Sequence, residues 1–129
     1  MPKTASRIDT INLVMLPSGD QDRSIEFYVD KLGFEKRTDI PFGGSYRWVE
    51  VYPPSGTTGI ALAPPRDGVT TARETGISLT TSDIEATHAE LREAGVDVDP
   101  EVSRMGDPVP PMFWFRDPDG NTLLVVEQS

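Results

Sequence analysis

The sequence repeats one order of predicted secondary structure elements in its two halves. In each half a β-rich strand precedes an amphipathic helix, and three further β-strands follow the helix. The first helix is predicted over 21–32 and the second up to Ala94, and the glycine after each, Gly33 or Gly95, suits the left-handed position beyond a helix end. When these glycines are aligned, the apolar stripes of the helices coincide. The repeat predicts an α+β fold of two βαβββ units, whose curved mixed sheets pair and leave a cleft between them.

Cap and turn residues predict where the elements begin. Each helix follows a residue that suits an N-cap, which is Asp20 in the first half and Ser82 or Asp83 in the second. The first strand is predicted over 8–16, an apolar and β-rich run that Pro17 ends.

The domain organisation follows from the repeat. We expect one domain over 1–129, with a first βαβββ repeat at 8–64, a linker at 65–73 and a second repeat at 74–128. The linker is polar and contains prolines and a glycine. A chain of 129 residues is long enough to bury a core without disulfides or metals.

Composition excludes several classes of function. The chain has no cysteine, which rules out disulfides and thiolate chemistry. Its net charge of −9 disfavours nucleic acid as a partner, because an acidic surface repels phosphate. The sequence has no signal-peptide pattern and no apolar run of the length that spans a membrane. We therefore expect a soluble cytoplasmic protein.

Three segments resemble signatures of the vicinal oxygen chelate superfamily, which contains glyoxalases, bleomycin-resistance proteins and dioxygenases. Residues 20–37 read DQDRSIEFYVDKLGFEKR, residues 80–98 read TTSDIEATHAELREAGVDV, and residues 115–127 read FRDPDGNTLLVVE. The DPDGN run alone is a good hairpin turn in any fold. All three segments in this order imply the glyoxalase/bleomycin-resistance/dioxygenase-like fold over almost the whole chain.

The metal enzymes that this family contains hold a metal through His, Gln or Glu on the first and last strands of each repeat. Counting from the motifs places those positions here at Leu13, Ala61, Gly76 and Leu124. None of these side chains binds a divalent metal, and a register shift of one residue adds only the weak ligand Asn12. The resemblance therefore implies a metal-free branch of the superfamily, with no cofactor.

Aromatic residues alternate with polar ones on the third strand of each repeat. The first repeat presents Trp48 and Glu50 on one face, and the second presents Trp114 at a comparable place. These rings either form core beneath the helices or line the cleft, where they would stack on a planar ligand. On the second interpretation, the ligand-binding residues are Leu13, Met15, Trp48, Glu50, Ala61, Gly76, Ser78, Trp114 and Leu124.

The resemblance implies a small-molecule-binding function without metal, similar to bleomycin-resistance proteins, which sequester a cationic drug in aromatic grooves at a dimer interface. The resemblance also implies a homodimer and a small-molecule ligand, which could be an antibiotic. The alternative is a lyase, isomerase or dioxygenase-type enzyme of the same superfamily, with Glu50, His88 or a tyrosine in proton transfer. Catalytic residues are not identified, since His88, the only histidine, is predicted on the exposed flank of its helix. In a third interpretation no ligand binds, because Leu13, Met15 and Leu124 fill the cleft.

Overall fold

The computed structural model of the protein describes residues 6–41, 43–44, 46–65 and 73–128. Each half supplies one four-stranded sheet and one helical segment. The first half contains β1 (Leu13–Pro17), α1 (Gln21–Glu26), β2 (Glu35–Pro41), β3 (Arg47–Tyr52) and β4 (Gly59–Ala63). The second half contains β5 (Arg73–Thr81), α2 (Ile84–Glu93), β6 (Asp97–Val98), β7 (Met112–Arg116) and β8 (Asn121–Glu127).

The two sheets have the same topology. Their strand orders are β1-β4-β3-β2 and β5-β8-β7-β6. In each sheet the first and last strands of the repeat pair in parallel, and the remaining neighbours pair antiparallel. The predicted α+β fold with two βαβββ units and mixed sheets is confirmed. No helix within the described residues is long and apolar enough to cross a membrane.

The helices begin and end where their cap residues predict. The Asp20 side chain accepts a hydrogen bond from the backbone N–H of Arg23, and Asp83, rather than Ser82, is the N-cap of α2. A π-helical turn over Phe27–Lys31 extends α1, so the helical region is continuous but not α-helical throughout. Gly33 has a φ of +79°, as expected beyond a helix end.

Two predicted boundaries differ from the structure. The first strand begins at Leu13 and not at residue 8, and the preceding Ile8 and Ile11 are 82% and 71% exposed. Isoleucine favours strands, but these residues do not pair with a neighbouring strand in the described part of the chain, so the segment is irregular. The strand β5 begins at Arg73, earlier than predicted, because its first residues pair with β8. Most of the predicted linker, residues 66–72, lies outside the described residues.

Both halves contribute to one hydrophobic core. Val49 and Val51 of β3, together with Phe113 and Phe115 of β7, are fully buried in it. The ring of Phe27 in the π-helical turn lies 6.2 Å from that of Phe115, so the first helical region packs against the second sheet. Because side chains alternate along a strand, the opposite face of each sheet points away from this shared core. We call these two surfaces the outward faces.

The turn between β7 and β8 joins the second half to the first helical region. The Tyr28 hydroxyl donates to Asp117 Oδ2 at 2.8 Å, the Ser24 hydroxyl donates to Asp119 Oδ2 at 3.2 Å, and the Gly19 N–H donates to Asp119 Oδ1 at 2.9 Å. Both aspartates are buried. Burial, followed by the Asp117 carboxylate, raises the pKa of Tyr28 far above its ordinary value, so the phenol remains a neutral donor. The DPDGN motif is therefore an inter-repeat junction as well as a hairpin turn.

Candidate functional site

Three predicted site residues form a row across the outward face of the first sheet. Met15 of β1 lies opposite Ala61 of β4, and Ala61 lies opposite Glu50 of β3. Their neighbours Leu16 and Leu62 belong to the core, which places the row on the outward face. Met15 is 60% exposed, whereas Ala61 is almost completely covered.

A second row crosses the outward face of the other sheet. Ser78 of β5 lies opposite Leu124 of β8, and Leu124 lies opposite Trp114 of β7. Trp114 therefore occupies in the second sheet the place that Glu50 occupies in the first. Trp48 lies two residues before Glu50 on the same face of β3. Trp48 and Trp114 are therefore not at equivalent positions of the two sheets.

Leu13 and Gly76 are the remaining predicted site residues. Leu13 lies opposite Gly59 on the same face of β1 as Met15. Gly76 lies within a shift of register between Glu74 and Ser78 in β5, and its φ is +74°. This bulge displaces Gly76 from the regular pairing that the other residues follow.

The Glu50 carboxylate is held by its two neighbours on the outward face of β3. The Trp48 indole Nε1 donates to Glu50 Oε2 at 2.7 Å, and the Tyr52 hydroxyl donates to Glu50 Oε1 at 2.7 Å. Both hydrogen bonds are possible because side chains two residues apart in a strand lie on the same face. The hydrogen bond to Glu50, together with burial, raises the pKa of Tyr52. Tyr52 is therefore a protonated donor at neutral pH.

Two neighbours, Gly59 and Arg37, define the place of the Tyr52 ring. A Cβ atom built on Gly59 would lie 2.6 Å from the ring, so the absence of a side chain at this position creates the space that the ring fills. The Arg37 guanidinium carbon lies 4.4 Å from the centroid of the Tyr52 ring. Arg37 also donates a hydrogen bond to the backbone carbonyl of Gly56 at 2.8 Å. Sequence reasoning missed Tyr52 and Gly59 as support for Glu50. The alternation along β3 was the available signal for Tyr52.

Glu50 carries an unpaired charge on the outward face of the first sheet. Within the described part of the chain, no cationic side chain forms an ion pair with it. Arg116 on the other outward face is already bound, because its guanidinium contacts Asp97 at 2.9 Å and Asp99 at 2.8 Å. Arg116 lowers the pKa of Asp97 through this hydrogen bond. The outward faces therefore suit a cation or a hydrogen-bond donor better than an anion.

His88 is buried, and the prediction of an exposed flank was wrong. Its Nε2 lies 2.7 Å from the backbone carbonyl of Asp99, and its ring meets that of Phe113 edge-on at 4.9 Å. A carbonyl only accepts hydrogen bonds, so Nε2 carries a proton. His88 lies in the buried stripe of α2 between Ile84 and Leu91, a spacing that puts all three on one helix face. This placement makes His88 a structural residue.

The space between the two halves is a crevice of about 750 Å³. Of the nine predicted site residues, only Gly76 and Ser78 line it. The Ser78 side chain nevertheless shares the outward face with Leu124, and the other seven residues also belong to strand faces that point away from the core. Strand alternation alone does not state which face of a strand meets the core.

The side chains of the two rows do not fit a divalent metal ion. Glu50 supplies the one carboxylate of the rows, and it already accepts hydrogen bonds from Trp48 and Tyr52. The other row residues offer one thioether from Met15 and one hydroxyl from Ser78, with no imidazole, whereas a metal site needs about three protein ligands. Among residues that the structure describes, no group of three or more His, Asp or Glu side chains is placed to hold a metal.

The fold and the matched residues assign the chain to a family. It belongs to the Glyoxalase/Bleomycin resistance protein/Dioxygenase superfamily, whose family model matches residues 10–125. The resemblance inferred from the three sequence segments is confirmed.

Individual relatives are similar over almost their whole length. A superfamily member from Sphaerobacter thermophilus is 35% identical, with a TM-score of 0.85 over 94% of this chain and 98% of that one. TnmS3, an antibiotic binding protein from Streptomyces sp. CB03234, is 30% identical, with a TM-score of 0.83 over 97% of this chain and 100% of that one. The uncharacterized protein YurT of Bacillus subtilis is 31% identical over 119 residues, which cover 84% of this chain and 91% of YurT.

Proposed function

We propose that this protein binds a small organic molecule, such as an antibiotic, on its outward sheet faces and without a metal ion. The observation that carries the proposal is the Glu50 carboxylate, fixed by Trp48 and Tyr52 and lacking an ion-pair partner among the described residues. The similarity to TnmS3, an antibiotic binding protein, supports the same class of ligand.

The chemistry of the face defines the ligand further. An ionised carboxylate has about four acceptor sites, and the two neighbours of Glu50 use two of them. Trp48 beside Glu50 offers an aromatic ring, and the exposed Met15 supplies an adaptable apolar surface on the same face. A planar aromatic molecule with an amino or other donor group matches these features.

The groove for such a molecule is completed, in this proposal, by a second copy of the chain. An outward face is open on one side, and the exposed Met15 there has no covering element within the described residues. Cyclic pairing of two copies is the commonest way in which small proteins cover such surfaces. We therefore propose a homodimer whose groove lies between outward faces.

Binding is favoured over catalysis by two observations. His88, the residue most suited to proton transfer near neutrality, is buried in the core side of α2. The raised pKa of Tyr52 keeps its phenol protonated at neutral pH, so it cannot accept a proton there. A dioxygenase-type reaction of the superfamily would further require a metal site that the row residues do not fit.

The ligand proposal is tested at Glu50. A thermal-shift screen of aromatic antibiotics with an amino group should yield hits that change tryptophan fluorescence, and EDTA should not affect their binding. The Glu50→Gln variant should bind such a hit about tenfold more weakly, because a hydrogen bond to a charged group contributes about 1.5–3 kcal/mol. The matched control is Glu93→Gln, which removes the same charge at the exposed end of α2. Equal affinities of the two variants, or loss of binding in EDTA, would contradict the proposal.

The dimer is tested by light scattering at micromolar concentration. The expected mass is twice the 14.2 kDa of one chain. Met15→Lys places a charge on the outward face and should shift the protein toward the monomer, since an unpaired charge is costly to bury. Met105→Lys is the control, because Met105 is 68% exposed in the connection between β6 and β7. A monomeric parent protein would refute the dimer without affecting the Glu50 test.

A further inference from the structure

The crevice between the two halves is a separate cavity from the outward faces. Val14 and Ile60 line it from the first half, and Ile77, Leu79 and Phe115 line it from the second. These side chains alternate with the outward-facing residues of the same strands, so the crevice lies on the core side. Its volume of about 750 Å³ falls within the range of about 300–1,000 Å³ that small-molecule sites occupy.

The lining of the crevice carries no charge. None of its residues is Asp, Glu, Lys, Arg or His, although 26% of the chain is charged and the net charge is −9. Burying an ionised ligand group there would lack a compensating partner and would be strongly unfavourable. This property separates the crevice from the outward faces, where Glu50 suits a cation.

Hydroxyl groups and a strand edge provide polar contacts along one wall. Thr81 of β5, which shares the face of Leu79, and Thr87 of α2 line the crevice with their hydroxyls 2.7 Å apart. The strand β5 is an edge strand that pairs only with β8 in the described sheet. An edge strand has backbone N–H and C=O groups that no neighbouring strand uses. Together these groups can bind a hydroxyl or carbonyl of a ligand, while the opposite wall with Val14 and Ile60 contacts its apolar part.

We propose that the crevice is a second binding site, which takes an uncharged and mainly apolar small molecule bearing a hydroxyl, amine or carbonyl hydrogen-bonding group. The site is formed within one chain and does not require the ligand, the dimer or the carboxylate of the outward face. Its position between the halves means that a bound molecule contacts both repeats.

The probe is N-phenyl-1-naphthylamine, an uncharged dye whose fluorescence rises in apolar surroundings. It should bind the whole chain saturably, with one dye molecule per chain. Its sulfonated analogue, 1-anilinonaphthalene-8-sulfonate, has a similar ring system with a negative charge. It should bind about tenfold more weakly, because the lining supplies no cation.

Two neighbouring residues of β1 locate the dye. Val14 lines the crevice and Met15 lies on the outward face, so Val14→Trp fills the site and Met15→Trp leaves it open. We expect the dye dissociation constant to rise about tenfold or more in Val14→Trp and to remain unchanged in Met15→Trp. If Val14→Trp does not fold, Ile77→Trp serves the same purpose, because Ile77 lines the crevice from the other half and its side chain is only half-buried. Weaker binding in Met15→Trp alone, equal binding in all variants, or no saturable binding to the parent protein would overturn the proposal.

Discussion

Replacing Asp117 with alanine is expected to lower the free energy of unfolding by about 3 kcal/mol, the larger of the two stability effects predicted here. The Asp117 carboxylate accepts hydrogen bonds from the Tyr28 hydroxyl at 2.8 Å and from the Asn121 side-chain amide at 2.9 Å. It also accepts from the backbone N–H groups of Asp119 and Asn121, both at 2.9 Å. Alanine would remove the acceptor of the buried Tyr28 hydroxyl and leave the Asn121 amide with only its 3.3 Å hydrogen bond to the Pro17 carbonyl. A buried donor without a partner is unfavourable by about 1–3 kcal/mol.

Urea denaturation followed by circular dichroism measures this loss. Asp9→Ala is the control, because Asp9 is exposed before β1 and a surface substitution of this kind changes stability by about 0.5 kcal/mol or less. Tyr28→Phe, which removes one donor and keeps the carboxylate, should fall between the two. A loss in Asp117→Ala no larger than that in Asp9→Ala would show that the turn does not join the repeats energetically.

The Gly59→Ala substitution, which adds one methyl group, is expected to lower the free energy of unfolding by about 2 kcal/mol and to weaken ligand binding. The new Cβ would lie 2.6 to 2.8 Å from three ring atoms of Tyr52, closer than carbon atoms approach one another. Relief requires the Tyr52 ring to move, and that movement breaks its 2.7 Å hydrogen bond to Glu50. The substitution therefore disturbs the carboxylate without touching it.

A double-mutant cycle with Tyr52→Leu tests this mechanism. In the Tyr52→Leu background the ring atoms that collide are gone, so Gly59→Ala should cost about 0.5 kcal/mol or less. The same cost in both backgrounds would show that the ring and Gly59 are not coupled. Binding of an antibiotic hit should then be measured in all four proteins. Gly59→Ala should weaken binding when Tyr52 is present and should have no further effect in the Tyr52→Leu background.

Local sequence signals predicted the elements of this fold well. Asp20 and Asp83 mark helix starts, and Gly33 and Gly95 follow the helix ends with positive φ values. These signals depend on the conformation of a few adjacent residues, which a single sequence specifies directly. The repeated order of elements then led to the correct family.

Contacts between distant residues were not predictable in the same way. The hydrogen bond from Tyr28 to Asp117 joins residues 89 positions apart, and no local pattern states that a tyrosine and a turn will meet. Strand alternation around Trp48 and Trp114 divided the side chains into two faces but did not state which face meets the core. The burial of His88 likewise depends on where the carbonyl of Asp99 comes to lie.

The bulge at Gly76 limits aggregation through an otherwise vulnerable strand. At nine residues β5 is the longest strand among the described residues and lies at the edge of its sheet. From Thr75 onward it has no charged side chain to repel another edge. Long regular edges of this kind can add strands from other molecules without limit and seed insoluble assemblies. The register shift between Glu74 and Ser78 interrupts the hydrogen-bonding pattern that an added strand would need. Backbone geometry at one glycine thus supplies the protection that gatekeeper charges provide in other edge strands.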